Sequence, residues 1–167
     1  MKHYPPLLPR ERKPSPPRIP LFYAVPGRTR ADGWTPRRQA LFIGHLAETR
    51  SVTEAARRVS MARETVYRLR GRAGAESFNA AWDAALGIAP AQGDGERSQV
   101  GVTPSRKVTN SELMWRVETG LWQVRMHRGR FAGVWRRADN ASLFQLLARL
   151  DRARLTGERT RREREAA

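Results

Sequence analysis

Residues 52–70, VTEAARRVSMARETVYRLR, constrain the fold more than any other stretch, because they carry two short apolar stripes separated by a chain reversal. Ser51 stands where an N-cap would, with Glu54 three residues on, the pattern of a capping box in which each side chain meets an unpaired amide of the first turn. Ala55, Ala56 and Val59 then share one helical face. Ser60 sits where the chain reverses, Met61 plugs the corner, and from Arg63 a second stripe runs through Val66 and Leu69. Two stripes facing each other across a bend imply packed helices. Ala56 suits them, since steeply crossed helices bring their backbones too close for a bulky side chain.

In this spacing the chain resembles the helix-turn-helix family of bacterial DNA-binding proteins, over this bihelical unit. Ala56 stands at the family's small position, and Ala55, Val59, Met61, Val66 and Leu69 stand at its buried ones. Ser60 replaces the usual turn glycine and must accept a left-handed backbone at a cost of about 1 kcal/mol. Ala62 replaces a capping serine. The resemblance implies duplex DNA as partner, with the second helix in the major groove and Arg63, Glu64, Tyr67 and Arg68 at the base edges. Arg63 then pairs with guanine, Glu64 accepts from cytosine or orients Arg68, and Tyr67 meets a thymine methyl or a phosphate. Thr53, Arg57, Arg58, Arg70 and Arg72 are placed for phosphates, which fix register rather than sequence. A helical hairpin inside any small bundle shows the same stripes, and the arginine-rich outward face is what favours DNA.

A net charge of +16 over 167 residues makes a polyanion the first partner to consider. Basicity alone is shared by ribosomal, nucleoid and membrane-surface proteins. The absence of cysteine removes disulfide scaffolds, thiolate zinc sites and cysteine nucleophiles. No apolar run approaches the ~20 residues of a membrane span, and the N-terminus lacks the apolar core of a signal peptide, so a soluble cytoplasmic protein is expected.

The expected fold is mainly α, an N-terminal helical bundle carrying the helix-turn-helix plus a small C-terminal α+β part with a β-hairpin and a Leu-rich helix. Residues 1–33 hold most of the prolines and read as a disordered Pro/Arg-rich arm without a packed element, or as a basic arm on DNA. Within them Ile19, Leu21, Phe22, Tyr23 and Val25 form an apolar cluster able to dock on a neighbouring surface. Residues 34–86 form the helix-turn-helix domain. There a supporting helix capped by Thr35 buries Leu41, Phe42 and Leu46, and a later helix covers the bundle with Phe78 and Trp82. Residues 87–107 read as a linker, 108–156 as a helix, hairpin and helix module, and 157–167 as a charged tail or helix extension.

The hairpin pairs strands on either side of a turn at His127, Arg128 and Gly129, and Arg128, Arg130, Arg136 and Arg137 offer a second basic surface or a solvated face. In the last helix Leu143, Leu146, Leu147 and Leu150 make an apolar stripe wider than a hairpin can cover. It either docks on Trp82 or Trp115 or joins copies of the chain into a homo-oligomer.

His3, His45 and His127 lie far apart in sequence, and His45 on an apolar helix face reads as a core or rim residue rather than a metal ligand. Glu112, Glu118 and Asp139 read as caps and solvated charges. No Gly-rich phosphate loop precedes a helix. The expectation is a non-enzyme without metal or cofactor: a transcriptional regulator, or a DNA-packaging adaptor that builds a ring. The layout of the bihelical unit followed by AAWDAAL resembles small phage-like helix-turn-helix proteins, small terminase subunits among them. An RNA- or ribosome-associated basic protein is a third reading.

Overall fold

The computed structural model describes residues 18–27, 30, 32–88 and 108–165. The arm reading of residues 1–17 and most of the linker, residues 89–107, lie outside them. Helix α1 (Pro36–Thr49) starts at Thr35, whose hydroxyl accepts from the Arg38 amide at 3.2 Å, with Pro36 in the first turn where its missing N–H costs nothing. Its buried face presents Phe42, Ile43 and Leu46. Helices α2 (Val52–Arg58) and α3 (Arg63–Arg70) form the bihelical unit, and α4 (Glu76–Leu86) follows across a short turn. Phe42 lies at the centre of the core, 5.7 Å from Trp34, 6.4 Å from Phe78 and 5.1 Å from Trp82, ring centre to ring centre. The fold is mainly α, as the periodicity predicts.

The second part is helix α5 (Asn110–Thr119), strands β2 (Leu121–His127) and β3 (Arg130–Arg137), and helix α6 (Asn140–Glu165). The hairpin carries a bulge, with Arg125 opposite Gly133 and Met126 opposite Phe131. It does not stand alone. Trp122 and Val124 are buried, Met126, Phe131 and Val134 pack on the same cluster, and the cluster is shared with α1. Gly44 of α1 is buried where the Phe131 ring crosses it, and a Cβ there would run into that ring.

The expectation of no packed element in residues 1–33 is corrected by strand β1 (Phe22–Tyr23), which pairs antiparallel with Trp122 and Leu121 of β2 and makes a three-stranded sheet, β1-β2-β3. Phe22 and Ala24 are fully buried and Val25 nearly so. The apolar cluster from Ile19 to Val25 is what docks here, and its burial outweighs the prolines around it. Its backbone is satisfied by side chains: Tyr23 N–H donates to Ser77 Oγ at 3.0 Å, Val25 N–H to Gln39 Oε1 at 2.8 Å, and Trp115 Nε1 donates to Ala24 C=O at 2.7 Å.

Helix α6 lies against α5, and Leu113 and Leu146 are buried outside the main cluster. Its N-terminus is capped by Asp139, whose Oδ1 accepts from the Ser142 amide at 3.1 Å. The helix continues through the charged sequence to Glu165, so the extension is helical. The leucine stripe is only partly covered: Phe144 is 68%, Leu147 46%, Leu150 51% and Leu155 64% exposed. Trp82 belongs to the main core, so it is not where this stripe rests. Among the described residues no helix is long and apolar enough to cross a membrane.

Candidate nucleic-acid interface

Helix α2 starts at Ser51, whose Oγ accepts from the Glu54 amide at 3.4 Å. Only this half of the capping box forms. Ser51 N–H donates to Thr49 Oγ1 at 3.3 Å, and the Glu54 carboxylate turns instead to Arg57 (2.8 and 3.0 Å) and Arg58 (3.1 Å). Charge-assisted bonds of this kind are about twice as strong as neutral ones. Hydrogen bonds from Arg57 and then Arg58 hold the Glu54 carboxyl down at about 2.

The reversal is tight. Ala56 C=O accepts from both Val59 and Met61 amides, and Ser60 takes φ 57°, the left-handed conformation its place in the turn demands. Ala56 itself is 1% exposed. Helix α3 has no side-chain cap at Ala62. Thr65 Oγ1 donates to Ala62 C=O at 2.6 Å and accepts from Trp34 Nε1 at 3.2 Å, which ties the start of α3 to the core. Val66 and Leu69 are buried beneath.

Arg63, Glu64, Tyr67 and Arg68 all lie exposed on the outward side of α3. The Arg63 guanidinium sits 5.5 Å from the centre of the Tyr67 ring, and that ring lies 5.9 Å from buried Trp82. The stack ties Arg63 to the core. No ion pair joins Glu64 to Arg68 among the described residues, so the orienting role foreseen for Glu64 is not formed here.

The expected phosphate set is less uniform. Thr53 and Arg72 are exposed, and Arg72 passes over Gly27, where a Cβ would come 2.8 Å from its Nη1. Arg57 and Arg58 share Glu54, Arg58 also meets Glu48 at 2.5 Å, and Arg70 meets Asp83 at 2.7 Å while lying 5.0 Å from the Trp82 ring centre. These arginines bring carboxylates with them, which lowers the local positive field the sequence suggests.

No family model, curated protein or solved structure matches this chain. What the interface can do therefore rests on its own chemistry.

Sequence reasoning missed Glu48. Its Oε1 accepts from the Phe131 amide at 3.3 Å while Oε2 faces Arg58, so one carboxylate links the hairpin to α2. The Phe131 hydrogen bond, more than the Arg58 charge, holds this carboxyl below its usual range. His45 lies beside it, 3.9 Å from Glu48 and 4.9 Å from the Phe131 ring, and burial followed by the Arg58 charge pushes its pKa down. That is the rim histidine expected from the apolar face. Among the described residues no three metal-ligating side chains come together.

Of the four hairpin arginines, all exposed, one is held by the chain itself. Arg136 turns back to α5, donating to Thr119 C=O at 3.0 Å and to Glu118 C=O. Among the described residues Arg128, Arg130 and Arg137 make no such bond.

Proposed function

We propose that the protein binds duplex DNA by laying α3 in the major groove, with Arg63, Glu64, Tyr67 and Arg68 toward the bases, and that it acts as a transcriptional regulator. The observation that carries the reading is the two-sided character of α3. Val66 and Leu69 seat the helix, and the opposite side presents polar, hydrogen-bonding side chains with Arg63 stacked on Tyr67. Such a side suits the donor and acceptor pattern of the major groove, where an arginine on guanine is the commonest specific contact.

Binding should weaken with salt. Six phosphate contacts give a slope of log affinity on log salt of roughly −5, and about −3 when three of them stay with their own carboxylates, as Arg57, Arg58 and Arg70 do here. Fluorescence anisotropy on a labelled duplex across a salt series measures it. A flat line removes DNA as the main partner.

A second reading, a packaging adaptor that recognises phage DNA while assembling into a ring, is favoured by the uncovered side of α6. Phe144, Leu147, Leu150 and Leu155 present more apolar surface than a lone helix gains from exposing. A second copy covering it would also supply the additional contacts that a single bihelical unit lacks.

A further inference from the structure

A cleft of about 600 Å³ opens between the end of α1, the end of α4, strand β2 and the hairpin turn, and none of its lining comes from α2 or α3. Its floor is apolar, with Ala47, Ala85 and Val124 buried and Ile19 beside them. Its rim carries Arg18, Arg50, Arg125 and Arg128, with Glu48 as its carboxylate. That carboxylate is already engaged by Arg58 and the Phe131 amide. Among the described residues Arg18, Arg50 and Arg128 have no ion pair, and Arg125 rests 5.4 Å from the Trp135 ring centre. Among the described residues the rim thus holds four guanidiniums against the one carboxylate of Glu48.

Backbone conformation supplies an independent observation. Among the described residues only Arg50, Ser60 and Arg128 have positive φ without being glycine, and two of the three, Arg50 (56°) and Arg128 (50°), line this one cleft. Arginine is strained at such positions and glycine is not. The conformation itself is set locally, by the left-handed C-cap of α1 and by the two-residue hairpin turn, so what it singles out is arginine standing where glycine would be unstrained. Gly87 completes the arrangement: a Cβ there would come 3.1 Å from Arg50 Nη1.

We propose that this cleft binds a phosphorylated small molecule of nucleotide size, its phosphates on the Arg50 and Arg128 guanidiniums and its flat or apolar body on the Ala47, Ala85 and Val124 floor. The volume falls within the range of small-molecule sites, and planar guanidiniums match phosphate oxygens in pairs. The chain preceding Arg18 is itself basic, with Lys2, Arg10, Arg12 and Lys13 against Glu11, and so is a poor counter-charge for the rim. This site is independent of the DNA reading, because it shares no residue with the outward side of α3.

The test is titration calorimetry of adenosine diphosphate into the full chain at about 150 mM salt, where screening over roughly 8 Å suppresses diffuse attraction to a basic protein. Wild type is compared with Arg50→Gly, Arg128→Gly and, as a control for general basicity, Arg152→Ala. Both glycine variants relieve left-handed strain and should melt at or above the wild-type temperature, so loss of binding in them is not loss of fold. The expected result is saturable one-site binding, weakened about tenfold or more in each glycine variant and unchanged in Arg152→Ala. Absence of binding by wild type, or equal weakening in all three variants, overturns the proposal. So does a labelled duplex that loses as much affinity as the nucleotide in the glycine variants, since it would assign these arginines to the nucleic-acid backbone.

Discussion

At the scale of single residues, two positions decide whether α2 and α3 meet correctly, and a third ties the segment before the bundle to α1. Ser60 is held left-handed at φ 57°, and Ser60→Gly should raise stability by about 1 kcal/mol in urea unfolding, because glycine adopts this conformation without a Cβ clash. Ala56 is buried where the two helices approach, and Ala56→Leu should cost about 1–3 kcal/mol by overpacking. The third is Gln39, fully buried, which accepts from Val25 N–H and donates to Val25 and Trp34 carbonyls, both at 3.1 Å. Gln39→Leu leaves those backbone groups without partners and should cost roughly 1–3 kcal/mol. The stripe of Ala55, Ala56, Val59, Val66 and Leu69 and the strained Ser60 were legible in the sequence, since each follows from helical spacing or turn chemistry. Gln39 was not, because a polar residue between Arg38 and Ala40 carries no periodic signal until its distant partner is known.

At the scale of elements, the two-residue strand β1 joins parts that sequence alone keeps apart. Besides pairing with β2 it reaches Ser77 on α4, and Tyr23 Oη donates to Asp139 Oδ2 at 2.8 Å, at the cap of α6. The Arg116 guanidinium lies over the Tyr23 ring, 4.5 Å from its centre. Burial, then the hydrogen bond to Asp139, pushes the Tyr23 phenol up to about 12. The sign follows directly. The folded chain keeps a proton that an unfolded tyrosine loses near 10, so this contribution is whole below about pH 10 and is lost as pH rises toward 12. Chemical unfolding between those limits should show falling stability, with a shallower fall in Tyr23→Phe; equal slopes would contradict the assignment. The elements of the hairpin and of α1 to α5 were readable from period and caps. The strand was not, since pairing over so short a length depends on partners about a hundred residues away, and proline content argued against it.

At the scale of the whole molecule, the bundle and the hairpin share one core, and α6 carries four of the eight large apolar side chains left exposed among the described residues. Light scattering at roughly tens of micromolar, a range that detects weak association, should give more than one chain per particle and a monomer for Leu147→Glu. A monomeric wild type removes the assembly reading and leaves the regulator without a second copy. The charge was legible along the chain but not its pairing in space. The net charge of +16 pointed to a polyanion, whereas the engagement of Arg57, Arg58, Arg70 and Arg136 by carboxylates or carbonyls shows only in the fold. The proposed DNA contact therefore rests on the outward side of α3. Affinities of wild type and Arg63→Ala for a duplex selected from a random pool, and for its scrambled counterpart, test it most directly. Arg63→Ala should lose about 1–3 kcal/mol on the selected site, little on the scrambled one, and relax the preferred sequence. Equal loss on both duplexes, or a wild type that selects no sequence, contradicts α3 as the element that reads DNA.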